Sequence, residues 1–221
     1  MDGNVAAPAV ARTGRESGEV PPPRDITRWL LFSLACAGGS VGLAWLGPVV
    51  PLPGPLRGVA LLLAWILLPL ASLLVPLLLL RRVPRKRRKV AWQLVVPVIA
   101  GVALGVVGRE AGDQVALDAR GEWADVEVVR VEDAKTDHCY LRTTDGREIS
   151  PSLSEGDGCD GPIAKGDRLR VRYDPEGVAR PTEDADSTSY GGLIAGLFLA
   201  AVAMGTWGGV RQNRWDREYV G

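Results

Sequence analysis

Four stretches of this chain contain no Asp, Glu, Lys, Arg or His, and their length restricts what it can fold into: Trp29–Leu46, Val59–Leu80, Val90–Val107 and Gly191–Val210. A helix needs roughly 20 predominantly apolar residues to cross the hydrocarbon core of a bilayer. A helix packed on a soluble core keeps a polar face, and none of these stretches has one. Four such helices in 221 residues also leave too little chain to cover them. The expected fold class is therefore a membrane α-helical protein with four transmembrane helices, and the lipid bilayer is its first partner.

The formal net charge of zero conceals a segregation. Residues 109–189 hold 11 basic and 20 acidic side chains, a balance of −9, and the remainder carries +9. Charge asymmetry of this kind points to compartments. Seven basic residues, Arg81, Arg82, Arg85, Lys86, Arg87, Arg88 and Lys89, crowd the short connection between the second and third apolar stretches. In a soluble domain such a run suggests nucleic-acid binding. Between two spans it has no room to build a groove reader, and it reads instead as a cytoplasmic loop under the positive-inside rule. The opposite connection, Gly47–Gly58, has only Arg57. Arg12, Arg15, Arg24 and Arg28 precede the first span, and Arg211, Arg214 and Arg217 follow the last. Both termini are then expected in the cytoplasm, and residues 109–189 outside it, in a multi-pass protein of the plasma membrane with no nucleic-acid partner. Trp29, Trp45, Trp92 and Trp207 fall near span ends, where indoles prefer to sit.

The expected organisation is a disordered cytoplasmic N-terminus (1–27), three transmembrane helices with the basic loop (28–108; loop 81–89), an extracytoplasmic β domain (109–189), a fourth transmembrane helix (190–210) and a cytoplasmic tail (211–221). The first span contains Leu34-Ala35-Cys36-Ala37, but Ser33 stands where a lipoprotein cleavage site has a Leu-like residue. Span one therefore reads as retained, with Cys36 a small buried apolar residue. Pro69, Pro76 and Pro97 are expected to kink spans two and three. Gly101-x-x-x-Gly105, Gly192-x-x-x-Gly196 and Gly205-x-x-x-Gly209 are spacings that let helices approach closely, here within one bundle. The uncharged spans argue against a transporter or channel, which usually places ionisable groups at membrane depth.

Residues 120–182 read as short strands. Ala124, Val126 and Val128 alternate with Asp125 and Glu127, and the alternation slips at Val128-Val129, which predicts a bulge. Cys139–Thr143, Asp145-Gly146 and Arg147–Ile149 form a hairpin pattern. Leu169, Val171 and Tyr173 alternate with Arg168, Arg170 and Arg172, and Asp174-Pro175-Glu176-Gly177 is a turn leading toward a short strand near Val178–Arg180. Four or five such strands suggest a small all-β domain of OB-like or SH3-like type between helices three and four, with a thin core. Cys139 and Cys159 are its only cysteines, and an extracytoplasmic site lets a disulfide persist. The competing arrangement is a metal held by His138, Cys139, Cys159 and Asp157 or Asp160. Neighbouring His138 and Cys139 on a strand point to opposite faces, so the disulfide is expected and no cofactor or metal. The Arg168/Arg170/Arg172 stripe is a candidate binding surface for an anionic ligand, or a solvated face paired across the sheet with Asp125, Glu127 or Glu148. The cluster of Glu155, Asp157 and Asp160 reads as a solvated acidic loop.

The order Ala124–Val129, Thr143–Gly146 and Gly166–Pro175 resembles a small β domain of bacterial integral membrane proteins of unknown function, whose pattern runs Gly-Asp-x-Val-x-Val-x-Tyr-Asp-Pro, with Leu169 here in place of the first Val. The bias toward Arg (22 against four Lys), Ala, Gly and Val fits a GC-rich, actinobacterial-type genome. The resemblance implies a fold and no catalytic residues. One His and no acid/base pairing leave no enzyme constellation. The expected function is a non-enzymatic one: an extracytoplasmic β domain held in the cell envelope for binding or scaffolding, with an envelope protein or polymer as partner. The alternative is an accessory subunit of a membrane enzyme or small-molecule permease. Reporter fusions test the orientation: a fusion after Lys89 should give cytoplasmic signal and one after Asp186 extracytoplasmic signal, and the reverse pattern would overturn it.

Overall fold

The computed structural model describes residues 23–79, 92–132, 136–183 and 189–220. The basic run Arg81–Lys89 and residues 1–22 of the expected disordered segment lie outside them. Four helical rods long and apolar enough to cross a membrane are present, Arg24–Val49, Gly54–Leu78, Trp92–Arg120 and Gly191–Trp215, together with a small antiparallel sheet.

Helix α1 (Pro23–Val49) starts earlier than expected, at a proline whose fixed φ suits a first helical turn, with Asp25 at the positive end of the helix dipole. The second rod is α2 (Gly54–Leu62), a five-residue π turn (Leu63–Leu67) and α3 (Leu68–Leu79). The widened turn immediately precedes Pro69, whose ring cannot sit against the carbonyl four residues back in a regular helix. Ser72 Oγ donates to the Pro69 carbonyl at 2.6 Å. Pro97, by contrast, does not kink α4 (Val95–Arg120). It lies in the first turn, where amides have no helical acceptor to lose. Helix α5 (Gly191–Val220) carries the expected tail residues 211–220 as a continuous helix.

Small residues hold the rods together. Gly101, Gly105, Gly108 and Gly112 face Pro69, Trp65, Val41 and Trp45 in turn, and a Cβ on Gly112 would meet the Trp45 carbonyl at 2.6 Å. Lipid tails are as apolar as leucine, so close backbone approach is what favours one helix contact over another. Gly205 and Gly209 pack on Ser33 and Trp29 of α1, whereas Gly192 and Gly196 face open space. Trp29 is therefore a packing residue, 4% exposed, and not an interfacial anchor; Trp92 and Trp207 are exposed as expected. Arg217 of α5 pairs with Asp25 of α1, so the start of α1 and the end of α5 share one end of the bundle.

The sheet order is β3-β2-β1-β4, all antiparallel, from β1 (Glu122–Glu132), β2 (His138–Thr143), β3 (Glu148–Ser154) and β4 (Arg168–Tyr173). The first half of β1 pairs with β4 and the second half with β2, with the register shifting between Val128 and Arg130, where the bulge was expected. Gly146 (φ 89°) turns β2 into β3. Val126, Val128, Leu141, Ile149, Leu153, Val171 and Tyr173 form the core around the Cys139–Cys159 disulfide. The expected strand near Val178–Arg180 does not form. The amides of Val178 and Ala179 donate to the Asp174 carboxylate, and Thr182 makes the last bridge, to Arg172.

The disulfide closes a loop of sequence separation 20, worth about 3 kcal/mol in the chain-entropy model. Under non-reducing conditions, thiol labelling of the folded protein should find Cys139 and Cys159 blocked. Both thiols labelling without denaturant would contradict this pairing.

Candidate functional site

The third rod does not stop at Val107. Residues 109–120 continue α4 as a polar helix whose carboxylates and guanidiniums reach the β domain, and the sheet starts only at Glu122. Ala116 and Leu117 turn inward onto Ala179 and form a small apolar plug. Two ionic clasps flank it.

The first is built on Arg120, in the last turn of α4. Its Nε and Nη2 donate to the two carboxylate oxygens of Asp174 at 2.9 and 2.8 Å. Its Nη1 and Nη2 also donate to the carbonyls of Val49 and Pro48 at 3.1 and 2.7 Å, which caps the negative end of α1. Glu176 lies 3.3 Å away. The Asp174 side chain is fully buried, and the amides of Glu176, Val178 and Ala179 donate to it at 2.9–3.1 Å. Burial alone would raise its pKa. The Arg120 bond and the three amides more than offset that and hold the carboxyl at about 2. Asp174 is thus the hub of the turn after β4, which Gly177 (φ 67°) completes.

The second clasp centres on Arg180, which reaches Asp113 Oδ2 at 3.0 Å, Glu110 by a short contact, and Asp157 Oδ2 at 3.8 Å. Burial pushes its guanidinium pKa down, and Glu110 and Asp113 more than reverse that. Burial, with the carboxylates of Glu110 and Asp157, raises the Tyr190 phenol at the start of α5. Asp157 is therefore not part of a solvated loop. The disulfide holds Cys159 beneath the sheet, the Cys159 amide donates to the Ser154 carbonyl at 3.0 Å, and the turn between them (Glu155–Asp157) points Asp157 at Arg180. Glu155 and Asp160 remain exposed.

The arginine stripe is divided. Arg168 and Arg170 are exposed, opposite Glu127 and Asp125, and Arg170 lies 5.9 Å from the Trp123 ring centre. Arg172 turns to Asp118 of α4 at 2.9 Å and belongs to the junction. The rest of the outward face carries Arg142 paired with Glu148 at 3.1 Å, and Arg130 4.1 Å over the Tyr140 ring, whose hydroxyl donates to Glu132 at 2.9 Å. Both cysteine sulfurs are in the disulfide, so the metal alternative loses two of its ligands, and among the described residues no three His, Cys, Asp or Glu side chains cluster to hold an ion. Inside the bundle, Ser33, Cys36, Ser40 and Ser72 line a cleft with room for about one water.

Replacing Asp174 by Asn should leave Arg120 underpaired and cost about 3 kcal/mol at neutral pH. A carboxylate with a depressed folded pKa stabilises fully above its unfolded value, ~3.9, and loses that contribution as pH falls toward about 2. Melting of the detergent-solubilised chain should therefore show a wild-type advantage over Asp174→Asn that shrinks below about pH 4. An advantage independent of pH would refute the assignment.

Comparisons of the chain with protein-family models, curated proteins and solved structures found no match, so its functional reading is carried by its own residues.

Proposed function

We propose that this is a four-span membrane protein that presents its β domain on the extracytoplasmic side of the cell envelope, for binding or scaffolding of an envelope protein or polymer. The observation that carries this is the asymmetry of the sheet. The domain is locked to the ends of α1 and α4 by Arg120, Arg172 and Arg180, while Trp123, Arg168 and Arg170 stand exposed on the outward face of the sheet. Exposed aromatic and arginine side chains on a rigid support are the residue types that dominate binding energy at protein interfaces. A rigid mount also limits the ordering cost of docking.

The orientation is supported by the basic run Arg81–Lys89. The pairing of Asp25 with Arg217 brings the start of α1 and the end of α5 to one end of the bundle, and the contacts of Arg120 with Pro48 and Val49 hold the sheet at the other. We read the β domain as a partly open barrel of OB-like or SH3-like type, because the central strand β1 carries a bulge within its ladder to β2, and a bulge bends and twists a strand as curling of a short sheet requires. The order of its motifs keeps the resemblance to the small β domain of actinobacterial-type membrane proteins as a proposal.

Crosslinking on intact cells, followed by purification in mild detergent, tests the function. One defined extracytoplasmic partner should be recovered, and recovery should fall with Trp123→Ala and Arg170→Ala, two exposed substitutions that leave the clasps intact. Loss of neither would remove this face as the working surface, and co-purification with a catalytic or transport subunit through the spans would favour an accessory role.

A further inference from the structure

The two edges of the sheet differ. The outer side of β3 carries Pro151, which has no amide to give, and its Ser150 carbonyl lies against Gly177. On the outer side of β4, Arg172 exchanges both backbone bonds with Thr182, at 2.8 and 3.0 Å. Backbone groups alternate in direction along an antiparallel strand, so those of Arg168 and Arg170 point the same way as those of Arg172. The alternation holds from the other side too: the Asp167 carbonyl accepts from the Val128 amide of β1 at 2.9 Å. Among the described residues nothing takes up the outward backbone groups of Arg168 and Arg170. Their guanidiniums also make no ion pair among those residues, although Glu127 and Asp125 stand opposite in register. Arg130 and Arg142, elsewhere in the sheet, are paired. Leu169, between the two free arginines, packs on the core but is only half-buried.

An open stretch of strand, with two free guanidiniums on one face and a half-covered leucine on the other, matches one kind of occupant. We propose that β4 receives an extended acidic peptide segment of a partner protein, which adds to the sheet as a further strand along Arg168–Arg170. Backbone bonds to the edge supply the affinity and alternate side chains the specificity. The residues opposite Arg168 and Arg170 would be Asp or Glu, and an apolar residue between them would cover Leu169. β1 already shows this pattern on the other side of β4, where Asp125, Val126 and Glu127 stand opposite Arg170, Leu169 and Arg168. A second copy of this chain pairing edge to edge would set arginine beside arginine, which is unfavourable. The site rests on the outward side of the β domain being its working surface.

The test uses the full chain in a non-ionic detergent at low ionic strength, and fluorescence anisotropy of a labelled synthetic peptide in which Asp and Val alternate. Saturable binding is expected. A peptide with Lys in place of Asp should not bind, and N-methylation of the Asp amides, which would face the edge, should abolish binding. Arg168→Gln with Arg170→Gln should weaken it about fivefold, as the loss of two exposed ion pairs. Arg170→Pro should abolish it and leave the melting temperature near that of wild type, because the amide it removes points away from β1. If the proline variant unfolds, the N-methylated peptide on the wild-type chain decides. No binding to wild type, or equal binding of the N-methylated peptide, overturns the site. Asp184-Ala185-Asp186, outside the described residues, has the same alternation in sequence. Binding that appears only with Asp184→Asn and Asp186→Asn would make that segment the occupant and overturn the partner. In the crosslinking experiment on intact cells, a partner lost with Trp123→Ala but kept with Arg170→Pro overturns the edge alone. A partner kept with both overturns the working surface as well.

Discussion

The fully buried carboxylate of Asp174 is the point on which the assembly of bundle and sheet depends. A carboxylate taken out of water needs its charge compensated and its lone pairs filled. Arg120 supplies two charge-assisted bonds and the following turn supplies three amides. Because Arg120 also holds the last carbonyls of α1, one guanidinium joins the end of the first rod, the end of the third and the turn leaving β4. Arg180 repeats the device about two turns back along α4, at Asp113, and brings in the loop that the disulfide secures.

Three kinds of force thus divide the molecule. In the bundle, where the surroundings are as apolar as the side chains, contact is selected by small residues, Gly105 under Trp65 and Gly112 under the α1 backbone. In the sheet, a thin apolar core is reinforced by a covalent link that restricts the unfolded chain. Between them, charges do most of the joining, around the small apolar plug of Ala116, Leu117 and Ala179.

Much of the sheet was legible beforehand because its signals are local. The slip at Val128-Val129 marks a change in which face is apolar, and the register shifts there. Asp145-Gly146 and Asp174–Gly177 carry their own turn chemistry, and two cysteines in one short β segment leave a single pairing within it. The clasps were not legible. The charges of residues 109–120 interrupt the apolar run and so end the predicted span, although the helix continues because Arg120, Asp113 and Glu110 find partners 54 to 72 residues away. Asp157 looked like a solvated loop residue for the same reason, and Trp29 looked like an interfacial anchor until Gly209 was seen to open a seat for its ring. The strand near Val178–Arg180 was lost to Asp174, whose side chain took the amides that a sheet would have used.

The amino-acid sequence by itself determined the four apolar rods, the order and alternation of the strands and the cysteine pair, because uncharged length and a period of two are properties of consecutive residues. Only the tertiary structure decided which charges are buried and with whom. Ion pairing acts through space between residues far apart in the chain, and the free energy of a buried carboxylate is set by the donors that surround it once folded.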